Sequence, residues 1–294
     1  MNIGFIGLGA MGLPMTRHIV EAGHDVTVAS RSRVPIDMAV AAGAADGETP
    51  AGVVDASEVT LLCVPRSSDV VDVLQAATPA LGDGKIVVDT STIDPDVERA
   101  QHERVNASGA QYLEAPLSGG TVGAEEGSLT LMVGGDADVL AAARPALDPF
   151  AATIVHVGGP GTGQILKLCN NLIYAAQTLA TAEATTMAAK AGVDLRKLHD
   201  VITHSTGDCN AIRTRIPFEA VLPHGPASND WRPGFMTDLM AKDLDLAIGF
   251  AARSDTPLFT AGIARQLLGA ASAAGYGRED FSSMGKIVRA LGGV

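Results

Sequence analysis

The sequence predicts an α/β domain with a doubly wound, Rossmann-type sheet, a long connecting helix and a C-terminal all-α domain. Three observations predict this architecture. The first half of the chain alternates short apolar runs with amphipathic stretches, the pattern of a largely parallel sheet wound with helices. A glycine-rich cluster at 158–163 is followed almost wholly by helix-compatible residues. The length of 294 residues suits about two domains, which we place at 1–162 and 163–294.

Seven apolar runs in the first half are the predicted strands. They cover residues 3–6, 26–29, 59–64, 86–89, 112–115, 129–133 and 153–157. Helical patterns lie between them at 11–22, 70–76 and 95–108, and Asp94 before Pro95 is a helix-start signal. The repeating unit is therefore strand, helix, strand.

The second half is predicted to begin with one long helix. The stretch 164–191 contains no proline and is rich in alanine and leucine, which favour helix. At ~1.5 Å per residue such a helix extends ~40 Å, which is enough to connect two domains. Further helices are predicted at 194–204, 235–253, 260–274 and 279–291.

Composition argues against several classes of function. The 21 basic and 33 acidic residues give a formal charge of -12, which repels a nucleic-acid backbone. No run approaches the ~20 apolar residues that span a bilayer, and the N-terminus enters a strand pattern without a targeting signal. We therefore predict a cytoplasmic protein with no nucleic-acid or membrane partner.

The cysteines and histidines predict neither a disulfide nor a metal site. Cys63, Cys169 and Cys209 are odd in number and share no paired spacing, so we expect them to be reduced and buried. His199 and His204 are five residues apart and point to different faces of a helix. The other histidines also lack ligand spacing.

A glycine-rich turn follows the first predicted strand and opens the first helix, the context that a dinucleotide fingerprint requires. In it, Gly7 permits the tight turn, Gly9 lets a pyrophosphate approach the backbone, and Gly12 allows close helix–strand packing. Ala10 and Met11 lie where the helix N-terminus presents unpaired N–H groups to an anion. The alternative is an ordinary glycine turn.

The end of the second strand predicts which dinucleotide binds. An acidic residue there would accept the ribose 2′-OH and favour NAD, but this chain has Ser30, Arg31, Ser32 and Arg33. A guanidinium can bind a 2′-phosphate through two hydrogen bonds, and the hydroxyls can add more. We therefore expect NADP to be preferred over NAD, with a solvated basic loop as the alternative.

The start of the long helix carries a candidate for proton transfer. Lys167, Asn171 and Tyr174 are spaced four and three residues apart, which places them on one helical face. An ammonium beside a carbonyl oxygen can donate the proton during reduction and accept it in reverse. Taken alone, a lysine near a helix start is most often a surface residue.

A second glycine turn follows a strand end, where ligand crevices form in open parallel sheets. There Gly119 and Gly120 expose N–H groups that could hold a carboxylate, and Ser118 adds a hydroxyl. A flexible turn is the alternative.

Five ordered motifs resemble the 3-hydroxyisobutyrate dehydrogenase branch of the beta-hydroxyacid dehydrogenase family, over nearly the whole chain. They are Gly-Leu-Gly-Ala-Met-Gly-Leu-Pro-Met at 7–15, Asp-Thr-Ser-Thr-Ile-Asp-Pro at 89–95, Ala-Pro-Leu-Ser-Gly-Gly at 115–120, Gly-Gln-Ile-Leu-Lys-Leu-Cys-Asn-Asn at 163–171 and Leu-Met-Ala-Lys-Asp-Leu-Asp-Leu-Ala at 239–247. The stretch 226–235 also resembles that branch more than its tartronate semialdehyde relatives.

The resemblance implies roles for the matching positions. It implies Lys167 as the catalytic acid/base, and Asn171 with residues 118–120 as the substrate site. The positions that it implies contact the cofactor are Val64, Pro65, Thr92 and Lys242, the last beside the nicotinamide.

Two positions depart from that branch. Asn210 stands where the branch usually carries tryptophan, so we expect it to border the non-reacting end of the substrate. Ser30 and Arg31 replace the usual acidic NAD signature. The departures leave the identity of the substrate and the choice of cofactor open.

The sequence thus predicts a homodimeric or homotetrameric enzyme that interconverts a small 3-hydroxy acid and its semialdehyde with NADP or NAD. Tartronate semialdehyde reductase is an alternative, as is imine reductase, although retention of Lys167 argues against the latter. A 6-phosphogluconate dehydrogenase would need a longer helical portion. Non-catalytic relatives tend to lose the lysine, which this chain keeps.

Overall fold

Nine strands form a single sheet in the first half of the chain, as described by a computed structural model of all 294 residues. The strands are β1 Asn2–Ile6, β2 Asp25–Ala29, β3 Ala45–Asp46, β4 Val59–Leu62, β5 Ile86–Asp89, β6 Gln111–Glu114, β7 Leu117–Ser118, β8 Leu129–Gly134 and β9 Ala151–Gly158. The chain divides into two units, Met1–Lys167 and Leu168–Val294, so the sheet belongs entirely to the first.

The sheet is largely parallel, which confirms the predicted fold class. Its order is β3-β2-β1-β4-β5-β6-β8-β7, with β9 paired to β8. The strands from β3 to β6 all pair in parallel, whereas β8 is antiparallel to β6 and β7. The order reverses at β1, which has β2 on one side and β4 on the other, and ligand crevices form at such a switch point, outside the carboxyl ends of the strands.

Thirteen α-helices accompany the sheet and build the second half of the chain. The first unit contains α1 Gly12–Glu21, α2 Arg33–Ala41, α3 Pro50–Asp55, α4 Ser67–Ala77, α5 Pro95–Ala107, α6 Gly120–Glu126 and α7 Ala137–Leu147. They are followed by α8 Thr162–Lys190, α9 Leu195–Ile202, α10 Asn210–Thr214, α11 Thr237–Arg253, α12 Phe259–Ala271 and α13 Met284–Gly292. Helix α8 is continuous over 29 residues, which confirms the predicted long helix and places its first residues in one unit and the rest in the other.

Alternation along the strands divides the core of the first unit between the two faces of the sheet. Ile3 and Phe5 of β1 belong to a cluster that includes Met15 of helix α1, whereas Ile6 belongs to a second cluster with Leu74 of α4. Because successive side chains in a strand point to opposite faces, both faces are covered by helices.

Several local predictions differ from the structure. No range was predicted for the two-residue strands β3 and β7 or for helices α3, α6 and α10, which have five to seven residues and so carry little periodicity. Helices α2 and α7, of 9 and 11 residues, were not assigned a range either. The last helix was predicted to begin at residue 279, but a 3₁₀ turn at Phe281–Ser283 delays its start to Met284.

The prediction that the cysteines are buried is wrong for all three. Cys169 is exposed, and Cys63 and Cys209 are partly exposed. Cys169 follows Lys167 by two residues, which is ~200° around the helix, so it lies opposite the buried face that carries the lysine. No helix is long and apolar enough to cross a membrane, and no group of His, Cys, Asp or Glu side chains is arranged to hold a metal ion.

A buried carboxylate organises the helical unit. Asp280 is fully buried and accepts hydrogen bonds from the backbone N–H groups of Gly234 and Phe235 at 3.1 and 3.3 Å. It also accepts from the Ser282 hydroxyl at 2.7 Å and pairs with Arg215, whose Nε lies 3.2 Å from Oδ1. Two segments that are distant in sequence, at Arg215 and at Gly234–Phe235, thus converge on one side chain.

We expect Asp280→Ala to lower the free energy of unfolding by about 3–5 kcal/mol, because it leaves the mostly buried Arg215 charge without its partner. Urea unfolding followed by circular dichroism measures the change. The control, Asp200→Ala, removes a carboxylate whose side chain is 78% exposed, and should shift stability by less than about 0.5 kcal/mol. Equal effects of the two substitutions would contradict the role assigned to Asp280.

Candidate active site

The glycine turn between β1 and α1 has three glycines with different physical requirements. Gly7 has a φ of 103°, and a Cβ there would overlap the Cys63 carbonyl. At Gly12, a Cβ would overlap the Gly7 carbonyl, so helix and strand could not approach each other as closely. At Gly9, a Cβ would meet no protein atom within 4 Å. The turn therefore combines close internal packing with open space above Gly9, an arrangement that a pyrophosphate fits.

The loop after β2 lies at the same edge of the sheet, since Gly7 N–H donates to the Ala29 carbonyl at 2.9 Å. Arg33 is held by two carboxylates, with its Nε 2.7 Å from Asp37 and its Nη1 2.5 Å from Asp46. By contrast, the Arg31 side chain is 79% exposed and has one longer contact, at 3.3 Å, to Asp69. Arg31 is thus the more available guanidinium of the two.

The turns after β4 and β5 are bonded to each other. The Val64 N–H donates to the Ser91 hydroxyl at 2.9 Å, and the Ser91 N–H donates to the Asp89 carboxylate at 2.8 Å. Pro65 is exposed and Thr92 is partly exposed. Because β1, β2, β4 and β5 are parallel neighbours, all these turns lie at their shared carboxyl edge.

The second glycine turn joins β7 to α6. Gly119 and Gly120 have φ values of 138° and 62°, so two successive residues adopt conformations that side chains disfavour. Ser118, Gly119 and Gly120 are all at least partly exposed. Such a concave run of backbone can direct N–H groups at an anion.

Helix α8 carries Lys167 in its second turn, and the residue is only 8% exposed. This burial distinguishes it from an ordinary surface lysine. Asn171 follows one turn later and is also buried, so the two lie on the same helical face. Tyr174 continues that face, but its hydroxyl contacts Arg215 Nη1 and lies 3.5 Å from the Thr214 hydroxyl.

Asp243 fixes the orientation of the Asn171 amide. Asn171 Nδ2 donates to Asp243 Oδ2 at 2.6 Å, and Lys242 Nζ lies 2.9 Å from Asp243 Oδ1. Because a carboxylate only accepts, the NH₂ group of Asn171 must face it. The structure therefore joins two predicted site residues, Asn171 and Lys242, through a buried carboxylate that the sequence reasoning missed. Its signal was its place beside Lys242 in the motif at 239–247.

Asn210, a predicted substrate residue, is not among the hydrogen-bond or ion-pair partners of Asp243. It is exposed and begins helix α10, where its Oδ1 accepts a hydrogen bond from the Thr214 hydroxyl at 3.1 Å. Thr214 in turn lies beside Tyr174.

A buried polar cluster that was also missed lies against the start of helix α8. Glu114 Oε1 accepts a hydrogen bond from the Gly163 N–H at 2.7 Å, and Gln164 donates to Glu98 at 3.2 Å. Burial raises the pKa of Glu114 to about 7, although N–H groups of the helix start favour its ionised form. Burial, with the charges of Asp89 and Glu114, raises the pKa of Glu98 well above its ordinary value.

Comparisons with known proteins match both halves of the chain. Residues 2–158 match the family described as the NAD binding domain of 6-phosphogluconate dehydrogenase. Residues 161–288 match the family described as NAD-binding of NADP-dependent 3-hydroxyisobutyrate dehydrogenase.

Individual relatives agree with these families. The chain is 42% identical over 260 residues to a probable 3-hydroxyisobutyrate dehydrogenase of Mycobacterium tuberculosis, covering 85% of each protein. It is 36% identical over 291 residues to an NAD-dependent L-serine dehydrogenase of Pseudomonas aeruginosa, covering 97% of each. Among solved structures, Mycobacterium tuberculosis 3-hydroxyisobutyrate dehydrogenase with L-serine superposes with a TM-score of 0.92 at 37% identity, over 98% of this chain and 99% of that one.

We expect Glu114 to make stability depend on pH. Because its pKa rises from 4.5 to about 7 on folding, the unfolded chain loses this proton first as pH rises, and the folded state loses stability across that window. Relative to Glu114→Gln, the unmodified protein should lose about 3 kcal/mol of unfolding free energy between pH 4.5 and 7.

Urea unfolding at several pH values measures this difference. The control is Glu183→Gln, which changes an exposed carboxylate on helix α8 and should leave the pH dependence of the unmodified protein in place. A constant difference between Glu114→Gln and the unmodified protein at all pH values would show that Glu114 does not titrate in this way.

Proposed function

Since this chain belongs to the beta-hydroxyacid dehydrogenase family, in its 3-hydroxyisobutyrate dehydrogenase branch, we propose that it interconverts a short 3-hydroxy acid and its semialdehyde. It is a nicotinamide-dependent oxidoreductase. The observation that carries the proposal is the buried face of helix α8, on which Lys167 precedes Asn171 by one turn.

Lys167 is proposed as the acid/base at the substrate hydroxyl. As an ammonium it donates a proton to the carbonyl oxygen during reduction, and as an amine it accepts the hydroxyl proton during oxidation. Asn171 would hold the same oxygen, since Asp243 fixes its amide at 2.6 Å and so reduces the rotational freedom lost on binding.

The turn at Ser118, Gly119 and Gly120 is proposed to bind the substrate carboxylate. Its support is the pair of positive φ values at the two glycines, a backbone conformation that can direct N–H groups at an anion, and the exposed position of the turn. Backbone donors suit this task in an acidic protein, because they attract an anion without adding a titratable charge.

The dinucleotide is proposed to lie along the carboxyl edge of the sheet. Gly7, Gly9, Ala10, Met11 and Gly12 would hold its pyrophosphate, while Val64, Pro65, Thr92 and Lys242 would contact the remainder. When bound, it accepts or donates hydride at the nicotinamide C4.

NADP is proposed as the preferred cofactor. Arg31 is exposed at the end of β2 with one long contact, so it can turn to a 2′-phosphate together with Ser30 and Ser32, whereas Arg33 is already paired with two carboxylates. NAD is the alternative cofactor, since the similar protein from Pseudomonas aeruginosa is named an NAD-dependent L-serine dehydrogenase.

The substrate is proposed to carry, at its non-reacting end, a group that is bulkier or more polar than a methyl group. Asn210 supplies an amide that can donate and accept where a tryptophan would supply an apolar wall. Serine therefore stands beside 3-hydroxyisobutyrate as a candidate, supported by the solved relative with L-serine.

A homodimer or homotetramer is proposed from an apolar stripe on helix α12. Phe259 and Ile263 are four residues apart on one face and are 81% and 58% exposed. Large apolar side chains gain free energy when another surface covers them. A second copy of this chain can do so around a twofold axis.

Removing the amine should separate catalysis from binding. We expect Lys167→Ala to lower turnover of the best substrate by ~10²-fold or more, with little change in dinucleotide affinity. The assay follows cofactor reduction with a panel of 3-hydroxyisobutyrate, serine, glycerate and sulfonated hydroxy acids, using both NADP and NAD.

Lys190→Ala, at the other end of the same helix, is the control and should retain normal turnover. No turnover of any panel member by the unmodified protein would refute the proposed function. Near-normal turnover by Lys167→Ala would refute the role of the lysine alone.

Arg31→Ala should weaken NADP binding by ~10-fold or more and leave NAD binding nearly unchanged, because only NADP carries the 2′-phosphate. Titration of each dinucleotide against intrinsic fluorescence measures both constants. Arg33→Ala is the matched control and should not discriminate between the two. Equal losses for both dinucleotides, or a preference of the unmodified protein for NAD, would contradict the assignment.

Light scattering should give a mass of two or four chains, and Ile263→Glu should reduce it, because a carboxylate cannot be buried in an apolar contact without a large cost. Val34→Glu, on an exposed valine of helix α2, should leave the mass unchanged. A monomeric unmodified protein would overturn the proposed assembly.

A further inference from the structure

Gln164 is fully buried three residues before Lys167, and every hydrogen-bonding group of its side chain has a partner. Its Oε1 accepts from the Ile93 N–H at 3.1 Å. Its Nε2 donates to the Ser91 carbonyl at 3.0 Å and to Glu98 Oε2 at 3.2 Å. A primary amide thus spans the turn that follows β5 and the first turns of helix α5.

The turn that Gln164 binds belongs to the proposed cofactor edge. It contains Thr92, and its Ser91 hydroxyl accepts the Val64 N–H at 2.9 Å. A single side chain therefore connects the start of helix α8 to the backbone on both sides of Thr92. All these residues lie in the first unit.

The hydrogen bonds of Gln164 can affect the position of Lys167 because the two residues are close on helix α8. Gln164 and Lys167 are three residues apart, so they are neighbours on the helical surface. The backbone of the same turn is bound a second time, where the Gly163 N–H donates to Glu114 at 2.7 Å. Bonds from two different strand ends thus hold the first turn of the helix, which lies in the first unit, against the sheet.

The side chain at position 164 is polar although it is fully buried. A buried amide costs free energy unless all its hydrogen bonds are made, and an apolar side chain of similar volume would fill the same space. What the apolar side chain cannot supply is direction, since only hydrogen bonds fix one orientation of the helix start against the turn.

We propose that Gln164 is a positioning residue, which holds Lys167 in register with the turn at Ser91–Ile93 and so with the reacting carbon. This inference rests on the proposed function. Gln164 touches neither substrate nor cofactor in this assignment, and acts through the helix that carries the lysine.

The first test is Gln164→Met, which keeps the length of the side chain and removes its hydrogen bonds. We expect kcat to fall ~10–100-fold, the scale of a small misplacement of a catalytic group, while KM for the dinucleotide changes less than ~2-fold. The matched control is Gln177→Met, the same change further along helix α8, which should leave kcat unchanged. A kcat for Gln164→Met within about twofold of that control would overturn the proposal.

A second variant, Gln164→Glu, separates positioning from stability. The introduced carboxyl still accepts from the Ile93 N–H, but it can donate only when protonated. Burial and the neighbouring Glu98 carboxyl raise the pKa of the introduced group, just as burial and the charges of Asp89 and Glu114 raise the pKa of Glu98. Relative to the unmodified protein, kcat should therefore be rescued at low pH and lost as pH rises. If the ratio of kcat for Gln164→Glu to kcat for the unmodified protein is the same at every pH, the proposal is overturned. This test applies even if Gln164→Met does not fold.

Hydrogen exchange distinguishes failure of this inference from failure of the proposed function. The amides of Ile165, Leu166 and Lys167 should exchange faster in Gln164→Met than in Gln177→Met, with no substrate present. If the unmodified protein turns over no hydroxy acid, the proposed function is wrong, but hydrogen exchange still tests whether Gln164 holds the start of helix α8. If exchange is unchanged, the docking role of Gln164 is wrong whatever the substrate.

Discussion

The hydrogen bond from the Gly163 N–H to the buried Glu114 carboxylate anchors the helix on which the proposed chemistry depends. The first amides of any helix lack partners within it, and a buried helix start must find them elsewhere. Here the end of β6 supplies an acceptor, and a carboxylate at a helix N-terminus also interacts favourably with the helix dipole. The contact requires glycine at positions 134 and 163, because a Cβ at Gly134 would overlap the Glu114 carboxyl, and a Cβ at Gly163 would overlap the Met132 carbonyl and crowd Glu114. Gly134 and Gly163 thus both pack directly against the Glu114 side chain.

Several acidic side chains of this protein are buried, and the groups that surround them differ. Glu114 and Glu98 have raised pKa values because desolvation outweighs their hydrogen bonds. The buried Asp280 has an arginine and several N–H and O–H donors around it. Asp243 lies between Lys242 and Asn171, so its charge both pairs with a cation and orients an amide. In each case the buried group joins segments that are far apart in sequence.

A chain of formal charge -12 must still attract an anionic dinucleotide and an anionic substrate. The two glycine turns offer backbone N–H groups, whose partial charges act only at short range. Net repulsion at a distance is therefore compatible with binding, provided that local geometry directs the donors. Both arginines after β2 have mostly exposed side chains, but Arg31 has one contact at 3.3 Å, whereas Arg33 is bound by both Asp37 and Asp46. Their positions in the sequence alone could not show which of the two arginines is more available to an anion.

The sequence by itself determined the alternation of strands and helices, the long helix and the place of both glycine turns, because these depend on local periodicity and on residues with special backbone freedom. It also placed Lys167 and Asn171 on one helical face, which spacing alone decides. Only the tertiary structure revealed the contacts of Gln164 with the turn after β5 and of Asn171 with Asp243, whose partners are more than 70 residues apart along the chain. The exposure of Cys169 was decided there too, because a helix face is buried only where another element covers it. No local pattern encodes which distant segment will provide that cover or that hydrogen bond.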